Sequence, residues 1–283
     1  MNTLVIGPGY VGTALALALR SQNHEVSALR RGSGPDPDLT TAGIKSIRAD
    51  ISRAESLPKG MSFEWVINCA APSSGMADDY RRTYFEGSRN LVSWLQGCGV
   101  EKFVYTSSTG VYGQNDGSVV NEQSSTEPES DTGKVLAATE RILLDAAPAF
   151  PAIILRLAGI YGPGRGYWLK QFLSGQARIE GDGGRILNMI HRDDVVGAII
   201  AVLERGLAGE IYNVVDQEPV SQRTLFEWLS RKLNRPIPAA ASMASQRTRG
   251  VTNKLVSSRK LQIQLGYCFK YPTFREGFDS LIE

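Results

Sequence analysis

The stretch Thr3-Leu4-Val5-Ile6-Gly7-Pro8-Gly9-Tyr10-Val11-Gly12 decides the fold. Leu4 to Ile6 is continuously apolar, as expected of a parallel strand covered on both faces. Glycines follow at G-x-G-x-x-G spacing, and the Ala/Leu-rich run from Thr13 to Arg20 is a helix of good formers. Strand, glycine turn and helix in that order make a dinucleotide-binding fingerprint. Gly7 permits the tight turn, Gly9 lets the backbone approach a pyrophosphate, and Gly12 lets helix and strand pack closely. The helix start at Tyr10, Val11 and Gly12 offers unpaired N–H groups and the positive end of its dipole to phosphate. The glycines alone would equally serve a plain structural turn; the flanking strand and helix favour a nucleotide site.

Outward from this stretch, Glu25 to Leu29 is a second strand leading into Arg30-Arg31-Gly32-Ser33. Dinucleotide folds usually carry an acidic residue here, holding the adenosine ribose hydroxyls. None is present. Arg30, Arg31 and Ser33 instead suit a 2′-phosphate through charge-assisted hydrogen bonds, which favours NADP(H) over NAD(H). The competing reading is two solvated arginines in a loop. Gly32 to Gly43 reads as a Gly/Pro/Asp/Thr-rich loop, and Ile44 to Ile51 as a third strand. Asp50 would accept a hydrogen bond from the adenine amino group, with Ile51 against the ring. Phe63 to Cys69 is a fourth apolar run, followed by Ala70-Ala71-Pro72-Ser73. Small residues at a strand's carboxyl end let a flat cofactor lie against backbone. Cys69, Ala70 and Ala71 are therefore assigned to the cofactor, and Pro72 and Ser73 to the substrate beyond it.

Further along, Asp78 to Gly97 reads as one helix and Lys102 to Thr106 as a strand. Gln114 to Asp131 is a polar loop, and Lys134 to Ala147 a helix capped by Asp131 or Thr132. Ala152 to Leu157 is another buried strand. This alternation predicts an α/β architecture, a doubly wound parallel sheet of the Rossmann type. Residues 1–165 are assigned to the dinucleotide-binding domain. Residues 166–283 are assigned to a small substrate lobe, with some segments returning to the sheet. Trp168 to Gly175, Asp194 to Arg205 and Leu225 to Leu233 read as helices, and Glu210 to Val215 as a short strand. Pro236 to Arg249 reads as a mobile connection.

The bulk properties exclude several classes. A chain of 283 residues makes one large or two modest domains, and a net charge of +2 gives no reason to invoke nucleic acid or a membrane surface. No apolar run approaches a membrane span. The N-terminus lacks a basic leading region and is interrupted by Gly-Pro-Gly, unlike a secretory signal. Cys69, Cys98 and Cys268 have no metal-ligand spacing and are odd in number, so they read as reduced thiols in a cytoplasmic protein without a metal site.

Several stretches together resemble the extended short-chain dehydrogenase/reductases, the nucleotide-sugar epimerase and dehydratase group. They are the glycine turn, Tyr84-Phe85-Glu86-Gly87-Ser88-Arg89-Asn90-Leu91, Thr106-Ser107-Ser108-Thr109-Gly110-Val111-Tyr112-Gly113, and Leu155-Arg156-Leu157 with Ile160-Tyr161-Gly162-Pro163. Ile190-His191-Arg192-Asp193-Asp194-Val195 and Ile211-Tyr212-Asn213-Val214 complete the series, in family order over nearly the whole chain. The resemblance implies hydride chemistry at a nicotinamide, with Ser108 orienting the substrate oxygen and Thr109 beside it. It also implies a Tyr and a Lys four residues later on one helix, the lysine lowering the tyrosine pKa. Here Thr132 and Leu136 stand at those positions, and no tyrosine in the chain has a lysine four residues on. The short glycine turn and the stretch Asn188-Met189-Ile190-His191-Arg192-Asp193-Asp194 resemble an atypical subgroup lacking the pair. Family members often pair through two long helices, which implies a homodimer through Asp78 to Gly97 and Lys134 to Ala147.

Candidates to replace the missing pair are Lys134 and Tyr112, with Tyr161, Arg165 and His191 as substrate contacts. Each has a plainer reading: a solvated or ribose-contacting lysine, a structural or substrate-lining tyrosine, a packed loop with a surface arginine, and a histidine anchoring the following helix. Glu122 reads as tying down its loop, and Asp193 with Asp194 as favourable charge at a helix start. The expectation is an NADP(H)-dependent oxidoreductase or epimerase acting on a small polar, sugar-nucleotide-like substrate, with NAD as the other cofactor choice. The alternative is a nucleotide-binding protein without hydride transfer, either a redox-neutral isomerase or lyase or an NADP-sensing partner.

Overall fold

The computed structural model describes residues 1–32, 34, 36–241 and 252–282. Seven strands form one parallel sheet: β1 (Asn2–Ile6), β2 (Glu25–Arg30), β3 (Lys45–Arg48), β4 (Trp65–Asn68), β5 (Lys102–Ser108), β6 (Ala152–Leu157) and β7 (Ile211–Val214). Their spatial order is β3-β2-β1-β4-β5-β6-β7. Val5 faces Ala28 of β2 on one side and Ile67 of β4 on the other, so both pairings hold the same layer in register. The order reverses between β1 and β4, which opens a crevice at the carboxyl ends of those two strands.

Alternation along each strand builds the core on both faces. Val5, Ile67 and Val104 pack with Leu15, Ala16 and Leu19 of α1 (Tyr10–Ser21) and with Ile199 and Val202 of the helix Arg192–Arg205. Leu4, Ile6, Val66 and Phe103 pack on the opposite face with Leu91, Leu95 and Leu143. Each such side chain contributes about 1.5–3 kcal/mol on burial, which explains why apolar residues dominate these strands.

Several elements differ from the sequence expectations. The loop after β2 contains a short helix, Pro37–Thr41, because Asp36 accepts from the Leu39 N–H (3.4 Å) and Pro37 has its fixed φ at the first position. The Asp78-to-Gly97 helix is interrupted by one wider turn, Arg81–Glu86, between Ala77–Tyr80 and Gly87–Leu95. The next long helix runs Asp131–Asp145, starting three residues before Lys134. Ser130, not Asp131 or Thr132, caps it by accepting from the Gly133 N–H at 3.2 Å.

Beyond residue 165, the Arg192–Arg205 helix and β7 return to the main sheet. A separate apolar cluster joins Leu169, Phe172, Leu225, Phe226, Leu229, Phe274 and Phe278. Residues 242–249 of the expected mobile connection lie outside the described residues, whereas Ala240 bridges to Ile179. No helix among the described residues is long and apolar enough to cross a membrane.

Candidate functional site

The glycine turn sits at the crevice. Gly7 has φ +75°, and a Cβ on it would lie 2.5 Å from the Ala70 Cα. A Cβ on Gly12 would lie 2.3 Å from the Gly7 carbonyl oxygen, so the helix start and the turn touch backbone to backbone. Gly9 differs, since nothing lies within 4 Å of its added Cβ. The turn is held by Gly9 N–H donating to the Gly7 carbonyl (2.8 Å) and by the Thr13 hydroxyl donating to the Pro8 carbonyl (2.9 Å). The first N–H groups of α1 have no acceptor inside the helix. A cradle closed to side chains at Gly7 and Gly12 and open at Gly9 fits a diphosphate.

From this turn a cavity of about 760 Å³ runs along the carboxyl ends of the strands. Gly7, Gly9, Tyr10 and Val11 line one end, with Arg30 and Arg31 beside them. Asp50, Ile51, Cys69, Ala70, Ala71 and Pro72 form one wall, and Ser108 and Thr109 the far end. The wider turn of the 77–95 segment contributes Thr83 and Tyr84. Ser33 lies outside the described residues. Arg30 reaches Asp36 at 3.5 Å, while Arg31 is exposed. The Asp50 carboxylate accepts from the Ser52 N–H (3.0 Å) and hydroxyl (2.7 Å), which fixes its orientation in the wall. Burial pushes the Cys69 thiol up to about 12, so it is a packing group and not a nucleophile.

A second cavity, of about 320 Å³, adjoins the first and shares Thr109, Gly159 and Ile160 with it. Tyr161, Trp168, Arg185, Asn188, Met189, Lys254 and Phe278 line it. Lys254 escaped the sequence reading. It is carried there by the short parallel pairing of Leu255–Val256 with Val119–Val120, and its ammonium donates to the Tyr112 carbonyl at 2.9 Å. A lone lysine between two polar residues and an apolar pair gives no local signal of this placement.

Three candidates for chemistry or contact are corrected. Tyr112 lines neither cavity and is fully buried. Its hydroxyl donates to Asn213 Oδ1 (2.8 Å) and accepts from Arg156 Nη1 (2.8 Å), while burial raises its pKa, so it is a structural strut. Lys134 is exposed and pairs with Asp131 at 3.6 Å, because the helix begins early enough to turn it to solvent. His191 is buried, and its Nδ1 accepts from the Asp193 N–H (3.2 Å), capping the following helix. Burial lowers its pKa to about 4, so it is neutral and lines neither cavity.

The other candidates divide. Ser73 binds Asp79 (2.9 Å) and faces neither cavity. Tyr161 does line the smaller cavity, stacked on Phe278 with centroids 4.6 Å apart. Arg165 lines the larger cavity instead, 5.2 Å above the Tyr10 ring and next to the glycine turn. Ser108 accepts from the Gly110 N–H at 3.1 Å and stands at the end of β5, in the larger cavity. Leu136 also lines that cavity, so an apolar side chain occupies the wall there. Glu122 accepts from the Asn213 N–H at 2.8 Å and does tie down its loop. Asp194 does more than favour a helix start, since it accepts from the Lys270 and Tyr271 N–H groups and anchors the C-terminal segment.

A doubly wound sheet with a phosphate cradle, a long cofactor-shaped cleft and an adjoining smaller cavity defines a dinucleotide-dependent enzyme. Residues 3–215 match the NAD dependent epimerase/dehydratase family, and the chain belongs to that family, within the extended short-chain dehydrogenase/reductases. Protein YeeZ of Escherichia coli (strain K12) is 27% identical over 274 residues, covering 95% of each chain. A chain of the NAD-dependent epimerase/dehydratase type from Methylobacillus flagellatus has a solved structure with TM-score 0.81 and 31% identity, covering 99% of this chain and 97% of that one. MoeE5, solved in complex with UDP-glucose and NAD, matches with TM-score 0.83 and 26% identity, covering 100% of this chain and 97% of that one. This is an NAD(P)-dependent enzyme of that family.

Proposed function

We propose that the chain is an NADP(H)-dependent oxidoreductase or epimerase acting on a small polar alcohol or carbonyl compound, of the sugar-nucleotide kind that MoeE5 binds. The observation that carries this reading is the shared wall of the two cavities. Ser108 ends the cofactor cleft, and Thr109, Gly159 and Ile160 border both spaces. A substrate in the smaller cavity therefore presents its reactive carbon beside the larger one.

The residues present fit a pyridine dinucleotide. The N–H groups of the glycine turn would hold the pyrophosphate, with Arg165 above Tyr10 adding positive charge. Arg30 and Arg31 would hold a 2′-phosphate, and Asp50 and Ile51 the adenine. When bound, the nicotinamide supplies hydride acceptance or donation. Ser108 would orient the substrate oxygen, and Leu136 presents an apolar side chain to the same cleft.

Fluorescence titration with NADPH and NADH tests the reading. Arg31→Ala should weaken NADPH about tenfold, as expected for losing one charged hydrogen bond, and leave NADH within about twofold. Equal wild-type affinity for the two nucleotides removes the 2′-phosphate argument. Binding of NADPH without oxidation across carbonyl compounds and sugar nucleotides favours a redox-neutral reaction, the outcome that Leu136 in the lysine position also points toward.

A further inference from the structure

Lys254 is 2% exposed, yet among the described residues no carboxylate pairs with it. Its ammonium donates to the Tyr112 carbonyl (2.9 Å) and to the Thr252 hydroxyl (2.7 Å), both neutral acceptors. An ammonium has three N–H donors, so among the described residues its hydrogen bonding and its charge are both incompletely answered. The sequence 242–251, which precedes it and lies outside the described residues, contains no Asp or Glu. A desolvated charge without a counter-charge is costly, and buried charges are as a rule paired.

The cavity that Lys254 lines has the matching sign. Among the described residues its wall includes Arg185 and no Asp or Glu. Arg185 has Glu180 beyond it at 3.7 Å, and Tyr161 and Tyr167 are the other titratable groups on the wall among the described residues. A concave site of one sign with apolar walls such as Trp168 and Phe278 concentrates field on whatever enters. At about 320 Å³ it has the size of a small-ligand site. Burial alone draws Lys254 down to about 8, which leaves it mostly charged at neutral pH and ready to respond to a bound anion.

We propose that the smaller cavity binds a compact oxyanion of the substrate, a carboxylate or phosphate group, with Lys254 as its receiving cation. This rests on the proposed function for the neighbouring cleft and goes beyond it by fixing the charge of the substrate. The anion lies against Lys254 and Arg185, and the reacting carbon then faces Thr109 and Ser108 at the shared wall.

The test is NMR on the full chain labelled at lysine Cε, saturated with NADPH so that the glycine turn cannot capture the probe. Lys254 is assigned by the signal lost in Lys254→Met, or in Lys254→Arg should the first variant fold poorly. Inorganic phosphate, D-glycerate and glycerol are the probes. The free signal should titrate near pH 8, and phosphate or glycerate should raise its midpoint by a unit or more, about tenfold tighter binding to the charged form. The anion that shifts it distinguishes phosphate from carboxylate, and glycerol should leave it unmoved. Lys254→Arg should keep the affinity, and Lys254→Met should lose at least about tenfold. A midpoint unmoved by both anions, or equal anion affinity in wild type and Lys254→Met, overturns the proposal. Failure of wild type to bind NADPH would instead refute the cleft assignment, with the Lys254 titration still readable.

Discussion

Gly7 and Gly9 are both glycines of the turn, yet the structure assigns them opposite sensitivities. Alanine at Gly7 must adopt φ +75° and place its Cβ 2.5 Å from the Ala70 Cα and 2.6 Å from its nitrogen. The left-handed conformation costs about 1–2 kcal/mol. Overpacking against backbone, which cannot rotate away, costs about 1–3 kcal/mol more. Gly7→Ala should therefore lose about 2–5 kcal/mol of stability. Gly9 has a negative φ (−97°) and nothing within 4 Å of an added Cβ. Gly9→Ala should cost less than about 1 kcal/mol, the loss of a good helix cap. The same methyl group stands in the cavity where a pyrophosphate would approach. Losing one hydrogen bond to a charged group, about 1.5–3 kcal/mol, weakens nucleotide binding about 10- to 100-fold. Urea unfolding and NADPH fluorescence titration on both variants read the two quantities separately. A Gly9→Ala protein that binds NADPH like wild type, or that unfolds as easily as Gly7→Ala, would refute the reasoning.

Two further outcomes follow from buried groups. Glu140 and Arg156 are paired at 2.7 Å with side chains 4% exposed, so Glu140→Ala should cost about 3–5 kcal/mol in denaturant unfolding. A loss below about 1 kcal/mol would mean that the pair behaves like a surface salt bridge. His191 has a folded pKa of about 4, below its unfolded value of about 6.5. The unfolded chain therefore binds more protons in that window, and the histidine's contribution is complete above pH 6.5 and lost as pH falls toward 4. At about 1.36 kcal/mol per unit the loss reaches roughly 3 kcal/mol. His191→Asn, which keeps a capping side chain, should flatten this part of the pH–stability curve; an unchanged slope between pH 6.5 and 4 counts against the buried neutral histidine.

A buried hydrogen-bond network runs through Arg156. Ser107 donates to Glu140, Glu140 accepts from Arg156, and Arg156 donates to Tyr112, which in turn donates to Asn213. These residues tie β5, the 131–145 helix, β6 and β7 together. Tyr112 is thereby committed to structure.

What the sequence determined by itself is whatever depends on neighbours in the chain. The apolar runs at Leu4 to Ile6 and Ala152 to Leu157 fixed the buried strands, and the spacing of Gly7, Gly9 and Gly12 fixed the turn, because strand alternation and backbone freedom are local properties. The arginines after β2 were legible for the same reason. The helix cap at Ser130 was misread because capping depends on where the chain enters the helix, which Pro128 packed against Gly133 decides. Only the tertiary structure could place Lys254 at Tyr112, 142 residues away, or turn Arg165 toward the glycine turn and Lys134 toward solvent. Which way a side chain faces across such distances is set by strand pairing and packing, and no periodicity in the chain encodes it.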